Sequence, residues 1–184
     1  LVHPDGGRVT MFGRDFYADE PACKQQLGVV LGGVDFYPNR RLGVITNVTR
    51  TFYDRWDENK YRHYLSLFAL DETKKVSQLS SGMREKYMLA LALSHDARLL
   101  ILDEPTSGLD PVSRDELMEL FRGVVQSGER SILFSTHITS DLEKCASHIT
   151  RIKDGEILRS DTCAGLLAHY RAQLGDASLS LEDI

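Results

Sequence analysis

Apolar residues fall along the chain in two rhythms. Leu27-Gly28-Val29-Val30-Leu31, Leu99-Leu100-Ile101-Leu102 and Ile132-Leu133-Phe134 are continuous apolar runs. Runs without period-two alternation predict strands buried on both faces of a parallel sheet. Between them the spacing is helical. Tyr61, Tyr64, Leu65 and Phe68 line one face of a predicted helix near residues 58–69, with Asp57 as its cap. A second helix opens after Ser80-Ser81-Gly82 and runs to about residue 94, placing Met83, Tyr87 and Leu91 on one side and Met88, Ala92 and His95 on the next. Asp110-Pro111 supplies a cap and a first-turn proline for a helix to about residue 126. Ser140-Asp141-Leu142-Glu143 has capping-box spacing and predicts a helix ending near residue 147. Residues 149–158 read as a hairpin turning at Asp154-Gly155, and Thr162 begins a last helix to about residue 173, before a polar tail over 174–184. Less patterned stretches predict a short strand at 7–12 and a short helix around 44–53.

The order gives an α/β chain with a mostly parallel sheet. Residues 1–37 and 93–184 are expected to form the α/β core, with a C-terminal hairpin and helix. Residues 38–92 are expected to form a helical subdomain inserted into it.

Composition narrows the options. A chain of 184 residues supports one substantial core and is short for two. The net charge of -5 argues against a nonspecific polyanion binder, so no nucleic-acid partner is expected. No apolar stretch is long enough to span a bilayer, and the start has neither the basic flank nor the apolar run of a signal peptide. Cys23, Cys145 and Cys163 lack a metal-ligand rhythm and fit reduced thiols in a cytosolic setting. An opening at Leu1 that moves straight into Pro4-Asp5-Gly6-Gly7 reads as an interior piece of something longer.

Candidate chemistry gathers where the predicted strands end. Leu99-Leu100-Ile101-Leu102 delivers Asp103 and Glu104 and then stops at Pro105. Ligand sites in parallel sheets open at the carboxyl ends of strands. There one carboxylate can hold a hydrated Mg²⁺ while the other orients a water for attack on a phosphoanhydride. An acidic turn closing a strand is the plainer alternative. Leu79-Ser80-Ser81-Gly82-Met83 presents hydroxyls and free backbone N–H groups at a helix N-terminus, which suits a terminal phosphate, although an ordinary serine cap would look the same. Ser107-Gly108-Leu109-Asp110 forms a tight turn after the carboxylates, with Asp110 as a helix cap. His137 follows the third apolar run, where an imidazole can meet a phosphate oxygen or hold the water beside Glu104; the bland alternative is a lone surface histidine.

In this order and spacing, the pieces resemble the nucleotide-binding domain of ATP-binding-cassette (ABC) transporters, a P-loop NTPase-like α/β fold. Leu79-Ser80-Ser81-Gly82-Met83 is similar to the signature motif and residues 99–105 to the Walker B strand with its catalytic glutamate. Residues 107–110 resemble the D-loop, and His137 the switch histidine. The resemblance implies ATP and Mg²⁺ as cofactors, with Asp103 reaching the metal through water and Glu104 polarising the attacking water. It implies that Ser80, Ser81 and Gly82 contact the γ-phosphate held by a partner domain. Asp110 would signal across the dimer interface, and His137 would contact the γ-phosphate in the Glu104 site. The implied partners are a transmembrane permease subunit and a second cassette domain, with the chain peripheral on the cytoplasmic face of the membrane.

Three departures qualify the resemblance. Ser81 stands where the signature usually has its first glycine, and Gly32 stands where the Q-loop glutamine is expected. No Gly-x-x-x-x-Gly-Lys-Ser/Thr loop occurs in the sequence. That loop cradles the phosphates in the family. The fold is therefore expected to be truncated at its N-terminus, with two neighbouring core strands facing a gap or needing a substitute, and the chain alone is expected neither to hydrolyse ATP appreciably nor to form a normal monomer core.

Val34-Asp35-Phe36-Tyr37, Phe52-Tyr53-Asp54-Arg55-Trp56-Asp57 and Ser178-Leu179-Ser180-Leu181-Glu182-Asp183-Ile184 resemble bacterial antibiotic or peptide exporter ATPases. Phe36, Tyr37, Phe52 and Tyr53 are then candidates for docking on a membrane subunit. The alternatives are a soluble family member in DNA repair or translation, and a degenerate cassette that only binds a partner. Cargo is not encoded in these motifs.

Overall fold

A computed structural model describes residues 4–31, 37–176 and 178–181. The Gly32 substitution, Val34, Asp35 and the docking candidate Phe36 lie outside the described residues, as do Glu182, Asp183 and Ile184. The chain divides into two compact units, Leu1–Leu109 with Ser127–Ser135, and Asp110–Gln126 with Thr136–Ile184.

In the first unit, β1 (Thr10–Met11) and β2 (Arg14–Asp15) make a small antiparallel hairpin. The strand expected over 7–12 is thus shorter, and it pairs with its own return rather than with the parallel sheet. The cause is local: Phe12 and Gly13 both take positive φ, 54° and 78°, and reverse the chain. A helix with no expectation from sequence follows, α1 (Glu20–Lys24), with Pro21 in its first turn. Its buried Cys23 packs with Phe16 and Leu27, and half-buried Met11, Phe12, Leu99 and Ile101 close over them.

Strands β3 (Leu27–Val30), β4 (Leu99–Asp103) and β5 (Ser131–Ser135) form a parallel sheet in that order. Leu27 pairs with Leu99 and Leu99 with Ser131, so the three apolar runs lie level. These three are hydrogen-bonded in succession, so no gap separates them among the described residues. Open ladders run instead along the outer edges of β3 and β5, each of which pairs only with β4 among the described residues.

Helices α2 (Leu42–Thr49), α3 (Glu58–Leu67) and α4 (Ser81–Leu93) complete this unit. Asp57 Oδ1 accepts the Asn59 and Lys60 N–H groups at 2.9 and 3.0 Å, the cap that the sequence predicts for α3. Leu42, Ile45, Tyr61, Leu65, Tyr87 and Leu91 are among the core that the three helices share. Inside it the Thr46 hydroxyl meets Tyr61 Oη at 2.7 Å and Tyr87 Oη at 2.9 Å. Tyr61 then donates to Glu72 and Tyr87 to the Leu42 carbonyl, each at 3.0 Å. Burial pushes both phenols well above their ordinary range. Where α4 crosses β3, Gly28 permits the approach: a Cβ there would stand 2.5 Å from Leu100 Cδ2 and 3.0 Å from the Ala92 carbonyl.

The second unit holds α5 (Pro111–Val125), α6 (Thr139–Cys145), β6 (His148–Lys153), β7 (Glu156–Thr162) and α7 (Cys163–Leu174). Arg122 Nε donates to the Lys144 carbonyl at 2.8 Å and Lys144 Nζ meets Asp115 at 2.5 Å, joining α5 to α6. The capping box expected at 140–143 does not form. Helix α6 begins at Thr139 after Ile138, which has no side-chain cap, because the Thr136 hydroxyl turns the chain earlier by accepting the Ile138 N–H at 3.0 Å. The hairpin turns at Asp154 and Gly155 as expected, but its ladder extends to Thr162 with a register shift between Arg151 and Ile152. Ile149 packs with Leu166 and Leu181 beneath it.

Candidate functional site

The first part of the site is the carboxyl end of β4. Asp103 is its last residue and lies opposite Ser135, the last of β5. The Ser135 hydroxyl donates to Asp103 Oδ1 at 2.6 Å. It also accepts the Glu104 N–H at 3.1 Å, while the Ser135 carbonyl lies 3.2 Å from the same N–H. Glu104 takes φ 48°, which turns the chain out of the strand direction. The Ser107 N–H then bonds back to the Glu104 carbonyl at 3.0 Å, with Pro105 and Thr106 buried beneath. Ser135 therefore braces the Asp103 carboxylate and the Glu104 backbone at the mouth of the sheet.

The second part is the N-terminus of α4. Ser80 caps it, its hydroxyl accepting the Met83 N–H at 3.2 Å. Leu79 is buried beneath the cap, and its carbonyl accepts from Arg84 Nη1 at 3.3 Å. Ser81 is exposed and Gly82 half-buried. A Cβ on Gly82 would stand 2.8 Å from Leu109 Cδ2, and one on Gly108 3.3 Å from Ser81 Oγ. The signature-like and D-loop-like turns, separate in sequence, thus pack directly on one another.

Asp110 and His137 belong to the second unit. Asp110 caps α5 by accepting the Val112 and Ser113 N–H groups, both at 3.1 Å. The Ser113 backbone and then its hydroxyl hold this carboxyl below its ordinary range. His137 is exposed two residues past the end of β5.

Two contributors were not identified from sequence. Ser135 has a signal in hindsight, as the polar last residue of an apolar strand. Glu85, half-buried in α4 with Oε2 enclosed and unbonded among the described residues, carries none. No cluster of three or more His, Cys, Asp or Glu side chains suited to a metal occurs among the described residues. Asp103 offers a hard oxygen donor at the carboxyl end of β4. That fits Mg²⁺, which takes one or two carboxylates and keeps waters and phosphate oxygens for the rest.

Comparison with known proteins bears on the family and the fold. The family model described as "AAA domain, putative AbiEii toxin, Type IV TA system" matches residues 40–140. The bacitracin transport ATP-binding protein BcrA of Bacillus licheniformis is 31% identical over 86% of this chain and 52% of its own length. The Nod factor export ATP-binding protein I of Burkholderia lata is 31% identical over 84% of the chain and 52% of its own length. The chain spans about half the length of these curated relatives. A solved ATP-binding subunit of an ABC transporter superposes with TM-score 0.81 at 24% identity, covering 98% of this chain and 75% of that one. A dimeric ATP-binding cassette in a post-hydrolysis state with ADP and Pi superposes with TM-score 0.74 at 20% identity, over 86% and 74% of the two chains. The chain therefore belongs to the AAA-domain family matched over residues 40–140, and it has the fold of the solved ATP-binding cassettes.

Proposed function

We propose that this chain supplies the water-activating and partner-facing parts of an ATP-hydrolysing subunit that energises a membrane exporter. The bracing of Asp103 and Glu104 by Ser135 at the mouth of β4 carries the reading. Asp103 would hold Mg²⁺ through water, and the metal would supply charge neutralisation at the phosphates. Glu104 accepts a proton from the attacking water, with His137 offering an imidazole to the γ-phosphate. Ser80, Ser81 and Gly82, with Leu79 and Met83 fixing their backbone, present hydroxyl and N–H donors to the nucleotide of a second cassette. Asp110 follows the Ser107–Leu109 turn in sequence and carries signal between the paired domains.

Export is favoured over import because a relative at 31% identity is named for Nod factor export, against 28% for one named for thiamine import. A permease would dock on the helical side of the first unit. There, a cavity of about 130 Å³ is lined by Val29, Thr49, Tyr53, Met88, Leu91 and Ala92, and Tyr37 and Phe52 are 61% and 68% exposed nearby in sequence. No helix among the described residues is long and apolar enough to cross a membrane, so membrane attachment would come through the permease. The division of 38–92 as a helical subdomain against an α/β core belongs to the same proposal.

The test uses the protein with a phosphate-binding loop present. Glu104→Gln is expected to lower ATP turnover at least about 100-fold while retaining ATP, trapping a dimer. Unchanged turnover would move the base role elsewhere. The 184 residues alone are expected to bind ATP weakly, since no lysine-bearing phosphate loop is in the sequence. Micromolar, Mg²⁺-dependent affinity would overturn that division of labour.

A further inference from the structure

Glu85 lies one turn into α4, on the side that meets the turn at residues 107–109. Its Oε1 is 4.0 Å from the point where a side chain on Gly108 would begin, and Ser81 Oγ is 3.3 Å from that point. Its Oε2 is buried and has no hydrogen-bond partner among the described residues. Gly108 takes φ 82° and Gly82 packs on Leu109, so the two turns meet closely, with a carboxyl at their seam. Residues 107–109 are Ser, Gly and Leu, and bring no charge to meet it. On its own helix the neighbouring charge is Arg84, whose guanidinium donates to the Leu79 carbonyl.

We propose that Glu85 is a positioning residue that ties the signature turn to the D-loop turn, holding them together when it carries a proton and letting them part when it is ionised. A neutral carboxyl can occupy a seam without a cationic partner. An ionised one needs water or a donor at the enclosed Oε2 as well, which opening of the seam supplies. Burial, opposed in part by Arg84, raises this carboxyl from 4.5 to about 7. A folded value raised above the unfolded one favours the closed seam at low pH and weakens it as pH climbs through about 7. The functional weight of this device rests on the proposed role of both turns in facing a second cassette. Its structural content does not.

A ¹⁵N-resolved NMR titration of the 184-residue chain without nucleotide, between about pH 5 and 9, separates the two. The amides of Ser81, Gly82, Gly108 and Leu109 are expected to move together with one midpoint near pH 7. Glu85→Gln should abolish that shared transition and leave the four amides at their low-pH positions. Glu85→Asp, which withdraws the carboxyl from Gly108, should move the midpoint toward the ordinary carboxylate range and quiet Gly108. A shared transition that survives in Glu85→Gln overturns the proposal. So does movement of Ser81 and Gly82 while Gly108 and Leu109 stay still. No ATP enters the measurement, so failure of hydrolysis in the intact protein leaves the result standing.

Discussion

Ser135 and Asp103 face each other across the β4–β5 ladder, and the serine hydroxyl donates to Asp103 Oδ1 at 2.6 Å. The same oxygen accepts the Glu104 N–H. One small side chain thus sets both the carboxylate that would face a metal and the backbone that aims the carboxylate beside it.

Removing that hydroxyl should cost little stability and much function. Ser135→Ala is expected to lose about 0.5–1.5 kcal/mol in urea unfolding, the net worth of an ordinary hydrogen bond. In a protein with its phosphate loop, ATP turnover should fall about ten-fold or more, as for other groups that orient a metal-facing ligand. Turnover equal to the wild type would show that Asp103 needs no brace.

His95 should make the first unit acid-sensitive. It is 1% exposed and stacks on Tyr53 with ring centroids 3.8 Å apart. Burial, then the nearby Arg130 charge, lowers it from 6.5 to about 4. A folded value below the unfolded one means stability is fully present above pH 6.5 and is lost as pH falls through 6.5 toward 4. The loss is expected to be about 2 kcal/mol. Urea midpoints at pH 7 and pH 4.5 for wild type and His95→Gln measure it. An equal acid loss in both chains would assign it to other groups.

Thr46→Val tests the hydroxyl cluster among the helices. The methyl fills the same space but removes the hydroxyl proton that lies between Tyr61 and Tyr87, whose own protons go to Glu72 and the Leu42 carbonyl. A loss of about 1–3 kcal/mol is expected, because the phenols stay buried. A neutral result would mean that Glu72 and the Leu42 carbonyl satisfy the pair without threonine.

Gly108→Ala meets two obstacles. Its φ of 82° disfavours any Cβ, and Ser81 Oγ lies 3.3 Å from where one would go. About 1–2 kcal/mol should be lost. Amide shifts at Ser81 and Gly82 should accompany it, and an undisturbed Ser81 amide would contradict the packing of the two turns.

Much of this was legible because the deciding forces are local. The Leu99–Asp103 strand needed only an apolar run. Asp57 and Asp110 announced their helices through side-chain caps, and Asp154-Gly155 its turn through backbone preference. Where packing outweighs local signals, the sequence pattern alone does not place the element. Helix α1 is too short for a periodic pattern, and buried Cys23 holds it against Phe16 and Leu27. The Ser140–Glu143 spacing suggested a box, yet Thr136 turns the chain first. Within the site, Asp103 and Glu104 could be picked from their place after a strand. Ser135 and Glu85 could not, because one depends on strand register and the other on a turn distant in sequence.

The open edge of β5 bears on how this polypeptide behaves in a test tube. Its N–H and C=O groups meet no second strand among the described residues, and Leu133 at its centre is 60% exposed. An unsheltered strand with an apolar residue at its middle is a template for self-pairing. The isolated chain should therefore gain turbidity with concentration. Leu133→Lys should delay it, since a charge there taxes sheet growth between molecules more than it disturbs the exposed position within one.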